Sequence, residues 1–194
     1  MIDLEAVDRL EAFIAQQRPA LPWTPVTDYS LEARRAIEGE HPRLILEVFE
    51  PHTVLDVGCG PDGHLVRLLR EHGARRVTGF DPLARPSSLS GVWNRSLKEL
   101  SASDWFHNGA DLVVCREVLE HLPVLEIRHA IPTLVRLTNR YVYMTTRFHS
   151  AADHILAVAD HDDLDPTHIS LLTQALVRLL FVLEGCRRRA DLEA

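Results

Sequence analysis

The chain has 194 residues, of which 46% are hydrophobic and 25% charged, and its net charge is −7. That size and balance predict one soluble domain with a sizeable core, and the acidity argues against a nucleic-acid partner. No run approaches the roughly 18 apolar residues of a membrane span, and the acidic stretch from Met1 to Leu10 is not a secretory signal.

Three cysteines (Cys59, Cys115 and Cys186) are widely spaced with no CxxC pair, which fits a reduced, cytoplasmic chain better than a disulfide framework or zinc site. Arg187-Arg188-Arg189 is the only basic run and reads as a solvated face.

In chain order, Leu4, Val7, Leu10 and Ile14 predict an amphipathic helix over 3–16. Pro19, Pro22 and Pro25 then give an extended arm around Trp23. Trp23 and Tyr29 on this arm either pack against the core or form a lid over a ligand. We divide the single domain into this helix and arm, 1–30, and a core, 31–194. A helix follows Ser30 and runs to about Phe49, bent or split at Pro42.

The first strand, 53–57, leads into Gly58-Cys59-Gly60-Pro61-Asp62-Gly63, and a helix follows with apolar residues at 65, 66, 68 and 69. It stops near His72-Gly73, and a second strand ends at Asp81. A loop over 82–91, a third strand over 92–97 and a polar connection holding Trp105 and Phe106 come next. Strand four covers 111–115, a helix 116–122 ends before Pro123, and another spans 124–138 with an interruption at Pro132. Strand five is 141–145, a His/Asp-rich loop fills 149–168, and a last helix runs from about 170 to 184. Residues 186–194 would start a sixth strand.

Strands alternating with helices predict a doubly wound, mainly parallel Rossmann-like sheet with helices on both faces. Its C-terminal antiparallel strands are short or missing, because only about nine residues follow the last helix. Ligands of such sheets lie beyond the carboxyl ends of the strands. Residues 58–63, 81, 94–97, 115–121 and 145–149 all follow strands, so they fall on one edge.

The glycine turn matches G-x-G-x-x-G, a dinucleotide pattern. Asp56, two residues before the first glycine, argues against that ligand, since its carboxylate would face an anionic pyrophosphate. A cationic ligand suits it better. S-adenosylmethionine carries a sulfonium, an ammonium and no phosphate. Asp81, twenty-one positions after Gly60, stands where a carboxylate accepts from ribose hydroxyls.

With these residues in place, the chain resembles the class I S-adenosylmethionine-dependent methyltransferases over roughly residues 31–185. Asp56-Val57-Gly58-Cys59-Gly60 matches the family's first motif and Gly79-Phe80-Asp81 its ribose-binding acid. Residues 111–122 match the fourth strand and the following helix, and Asn94-Arg95-Ser96-Leu97 the adenine-contacting loop. Asp62 stands where the family has a third glycine. The resemblance implies that Asp56, Gly58, Cys59 and Gly60 hold the methionine part, with Cys115 and Arg116 at the end of strand four. It places Asp81 and Pro82 at the ribose, and Ser96 and Leu97 beside the adenine.

Glu117, Glu120 and His121, at i, i+3 and i+4, are expected on one helix face beside the reacting methyl. With His168 they make a set of O and N donors for a divalent cation such as magnesium or zinc, which would lower the pKa of an acceptor hydroxyl. Glu-x-x-Glu-His with a later His also resembles the ubiquinone-pathway catechol O-methyltransferases and the small-RNA 3′-end 2′-O-methyltransferases, where it is associated with a metal. Without an ion, Glu-His serves as a local structural bond, and His121, Glu117 or His149 is the candidate general base.

The expected activity is methyl transfer to O or N of a small-molecule acceptor. The alternatives are a metal-assisted RNA 2′-O-methyltransferase, a non-catalytic S-adenosylmethionine-binding protein and, more remotely, a nicotinamide oxidoreductase.

Overall fold

The computed structural model describes residues 41–85, 91–101, 109–149, 156–157 and 167–189. The expected helix 3–16, the arm with Trp23 and Tyr29, Trp105 and Phe106, and most of the His/Asp-rich loop lie outside these residues.

Five strands form one parallel sheet in the order β3-β2-β1-β4-β5: β1 (Thr53–Val57), β2 (Arg76–Asp81), β3 (Val92–Asn94), β4 (Ala110–Arg116) and β5 (Thr138–Thr145). β1 and β4 are almost continuously apolar because both their faces are covered, as a parallel sheet requires. On one face, Val54, Leu112 and Val114 pack with Ile45 of α1 (helical over 41–49) and with Leu65, Val66 and Leu69 of α2 (His64–Glu71). On the other, Leu55, Val57, Val113 and Cys115 meet Leu100 of α3 (Leu97–Ser101) and Leu134 of α4 (Val124–Arg136). α5 (Gln174–Leu183) packs Val177 against Ile127 and Ile131 of α4. The result is a three-layer α/β/α build. No helix among the described residues is long and apolar enough to cross a membrane.

The strand order reverses between β1 and β4, and the crevice at that point is where the ligand of such a sheet binds. Registers Val57↔Phe80, Val57↔Cys115, Asp81↔Asn94 and Arg116↔Thr145 bring the strand ends, and the residues after them, to one edge as expected.

Four expectations are corrected. The third strand stops at Asn94, and Leu97 instead opens α3, capped by Ser96 and Glu99. Pro132 does not interrupt α4, whose buried Ile127, Ala130, Ile131 and Leu134 carry it through. Residues 116–122 are not a helix: Glu117 has φ 51°, in the left-handed region, and only Leu119–His121 form a single 3-10 turn. Finally, the described residues 186–189 are not a strand. The short antiparallel pair lies earlier, β6 (Leu156–Ala157) on β7 (Leu171–Leu172), and a parallel bridge from Phe148 to Leu172 joins β7 to the segment after β5.

Gly58 is required by its surroundings. Its φ is 80°, and a side chain there would run into Val118 of the β4–α4 connection. Gly58→Ala is expected to cost about 2 kcal/mol from left-handed strain alone, with more from the clash. Val118→Ala in the same chain should recover only the second part, as read from urea midpoints at unchanged m-value.

Candidate active site

The loop after β1 is held from two sides. Gly58 and Cys59 donate their N–H groups to Phe80 O at 2.7 and 3.2 Å, and Gly60 N–H donates to Asp81 Oδ2 at 3.0 Å. Asp81 Oδ1 accepts from Leu83 N–H at 2.7 Å. The expected ribose acid therefore also ties the glycine turn to the end of β2, with further acceptor capacity on each oxygen. Among the described residues nothing lies within 4 Å of where a Gly60 side chain would project, so a ligand can approach the backbone there. Asn94 Nδ2 donates to Pro82 O and Ala84 O, which fixes the segment carrying Pro82.

Asp56 is the most constrained polar group of the site. It is 2% exposed, and its Oδ2 has no hydrogen-bond partner among the described residues. Burial pushes its carboxyl up to about 7, against the lowering effect of the Arg116 guanidinium, and Asp81 adds to the rise. Arg116 closes β4 and its buried Nε is also without a partner. An unpartnered buried acceptor beside an open glycine turn fits a cationic ligand group. It does not fit a pyrophosphate.

Other expected residues have local duties. The Ser96 hydroxyl donates to Glu99 Oε2 at 2.9 Å and accepts from Glu99 N–H at 3.2 Å, a capping box legible as S-x-x-E. Leu97 is half-buried between two core clusters. Burial pushes the Cys59 and Cys115 thiols far up, so neither supplies a thiolate nucleophile.

Glu117, Glu120 and His121 do not share a helix face. Glu120 is fully buried, with Oε2 accepting from Thr146 Oγ1 at 2.7 Å and Oε1 from Arg147 N–H at 3.2 Å. Its backbone carbonyl accepts from Ile169 and Ser170 N–H at 2.8 and 3.1 Å. Burial, and then a side-chain hydrogen bond with the exposed Glu117, push the Glu120 carboxyl up. His121 Nδ1 lies 3.2 Å from Thr167 O and 3.0 Å from Thr167 Oγ1, and its ring centroid is 4.9 Å from that of His168. Ligand atoms of Glu120, His121 and His168 fall within 4.8 Å of one another, a possible cation set; Glu117 and His149 stand outside it. His149 donates its backbone N–H to Leu172 O.

Two residues were not anticipated. His41 of α1 places Nε2 2.8 Å from the Tyr143 hydroxyl on β5. No local motif marks either residue; only the strand register reveals that Tyr143 shares a row with Asp56.

A family model described as a methyltransferase domain matches residues 29–181, and the chain belongs to that family. Its fold is that of the class I S-adenosylmethionine-dependent methyltransferases. A SAM-dependent methyltransferase from Archaeoglobus fulgidus shares 17% identity over 82% of this chain and 75% of its own, with a TM-score of 0.58. Magnesium protoporphyrin IX methyltransferase from Synechocystis PCC 6803, with bound SAM, shares 17% over 95% and 87%, at 0.54. A 1,6-didemethyltoxoflavin-N1-methyltransferase from Burkholderia thailandensis, with that compound and S-adenosylhomocysteine bound, shares 14% over 92% and 74%, at 0.56. No curated protein matches the sequence.

The raised Asp56 carboxyl gives a signed prediction. A group protonated in the fold but ionised in the unfolded chain makes stability fall as pH rises from about 4 to about 7. Asp56→Asn should therefore stabilise the ligand-free protein at pH 8 by about 2 kcal/mol, roughly 4–8 °C in Tm, and the gain should shrink to near zero by about pH 4. Differential scanning calorimetry at the two pH values reads both.

Proposed function

We propose that this chain transfers the methyl group of S-adenosylmethionine to an O or N atom of a small-molecule acceptor. The unpartnered Asp56 oxygen beside the glycine turn, open at Gly60, carries the reading, because a cationic, phosphate-free ligand answers both. The net charge of −7 supports a small molecule over RNA. So do the small-molecule names of two structures that share the fold. Three free cysteines suit work in the reducing cytoplasm.

When bound, S-adenosylmethionine supplies a methyl group on a sulfonium, which an acceptor lone pair displaces in line. The chain positions the two partners. Asp56 takes the α-ammonium and the Gly58–Gly60 backbone lies along the methionine part. Asp81 accepts from the ribose hydroxyls with the lone pairs that the turn leaves over. Pro82, Ser96 and Leu97 border the adenine. Cys115 contributes through its backbone at the end of β4, and Arg116 faces the α-carboxylate.

Catalysis of this kind rests on proximity and alignment, with removal of the acceptor's proton as the remaining demand. Glu117, exposed at the exit of β4 and hydrogen-bonded to Glu120, is the candidate carboxylate base, with His121 and His149 the imidazole candidates. A metal-assisted version rests on one observation, the convergence of Glu120, His121 and His168. A divalent ion held there would acidify the acceptor hydroxyl.

Isothermal calorimetry should show S-adenosylhomocysteine binding and no NAD binding; the reverse pattern would sink the proposal. Asp81→Asn should weaken S-adenosylhomocysteine at least tenfold, and unchanged affinity would remove Asp81 from the ribose. For the metal, elemental analysis of the purified protein should find about one divalent ion, lost in Glu120→Ala that remains folded. A metal-free protein whose turnover ignores chelator leaves the cluster a purely structural duty.

A further inference from the structure

Three buried polar atoms near the strand ends lack hydrogen-bond partners among the described residues, and they belong to three different elements. They are Asp56 Oδ2 on β1, Arg116 Nε on β4 and His41 Nδ1 on α1. The register explains why they meet. Asp56 pairs with Val114, which pairs with Tyr143, so Asp56 and Tyr143 point to the same face two strands apart, about 9.6 Å. Arg116 is two residues beyond Val114 on the central strand of the three, so it lies on that same face between them, one pleat repeat nearer the carboxyl edge. α1 covers this face and brings His41 Nε2 to 2.8 Å from the Tyr143 hydroxyl. Electrostatics links the same groups: the Arg116 charge acts on Asp56, His41 and Tyr143.

The protonation states follow from the burial. Burial, then Arg116, lowers the His41 pKa, so the imidazole is neutral near pH 7. Burial raises that of Tyr143, so its phenol keeps its proton. When the Tyr143 O–H donates to His41 Nε2, the imidazole hydrogen lies on Nδ1. In that tautomer the face holds two buried donors without partners, His41 Nδ1–H and Arg116 Nε–H, and one buried carboxyl oxygen without a partner, Asp56 Oδ2. An unpaired buried donor or acceptor is costly, and three in one place call for a ligand.

We propose that His41, oriented by Tyr143, binds the α-carboxylate of the cofactor together with Arg116, while Asp56 binds the α-ammonium. This rests on the reading that the ligand is S-adenosylmethionine. One zwitterionic amino-acid end satisfies all three orphaned groups. His41 and Tyr143 thus make the site specific for the intact amino-acid end of the ligand rather than for its nucleoside. Tyr143 is a positioning residue, since it acts through the His41 ring.

Calorimetry with two ligands tests this. S-adenosylhomocysteine has the amino-acid end, and 5′-methylthioadenosine keeps the nucleoside and thioether without it. Wild type should bind S-adenosylhomocysteine at least 100-fold more tightly. His41→Gln, whose amide reproduces the contact to Tyr143 but not the Nδ1 donor, should lose about tenfold for S-adenosylhomocysteine and nothing for 5′-methylthioadenosine. His41→Asn places an amide donor near the Nδ1 position and should keep most of the affinity. Tyr143→Phe should fall between the two.

Equal losses for both ligands, or Gln and Asn variants that behave alike, would overturn the proposal and leave His41 a packing residue. A wild type that binds S-adenosylhomocysteine well but no better than 5′-methylthioadenosine would overturn it too. A wild type that does not bind S-adenosylhomocysteine at all would overturn the cofactor reading itself. Thermal melts of each variant establish that it is folded.

Discussion

A single buried carboxylate governs this site. Asp56 is enclosed by the sheet and its covering helices, 2% exposed, with one oxygen unpartnered and its proton affinity raised to about 7. A β-strand that buries both faces normally carries apolar side chains throughout, as Val54, Leu55 and Val57 do. Holding an acid in that row weakens the empty protein, and in the proposed function a cationic ligand group offsets that cost. The rest of the edge is consistent with that arrangement: glycines that leave the backbone open, Asp81 fixing the turn from the neighbouring strand, and Arg116 moderating the buried charge.

The segment after β4 shows a second use of a buried acid. Glu120 binds the Thr146 hydroxyl and the Arg147 amide through its side chain, and Ile169 and Ser170 through its carbonyl. One residue thereby gathers the exit of β4, the exit of β5 and the approach to β7. With His121 and His168 alongside, the same geometry that organises three chain segments also assembles oxygen and nitrogen donors suited to a cation.

Much of this was legible in the sequence where a local pattern and a global requirement coincide. The apolar run 53–57 and the glycines obey strand and turn rules at once, and the structure forms strand and turn there, with Asp81 closing the second strand. The parallel sheet and the common edge of its strand exits follow from the alternation of strands and helices. The expectation failed where tertiary contacts override spacing. Residues 116–122 have helical periodicity, yet Gly58 pressed on Val118 and the four bonds to Glu120 pull the segment into a turn, with Glu117 left-handed. Pro132 reads as a breaker, but burial along α4 outweighs one lost bond. His41 and Tyr143 are 102 positions apart, and no local signal joins them.

The account turns on Asp56 being protonated in the empty site and ionised under a bound ammonium. Titrating S-adenosylhomocysteine calorimetrically in buffers of different ionisation enthalpy measures this directly, as the protons exchanged on binding. With the carboxyl at about 7, close to one proton should be released per ligand at pH 6, falling towards none at pH 8. Binding that releases no proton at pH 6, or takes one up, would contradict the role assigned to Asp56.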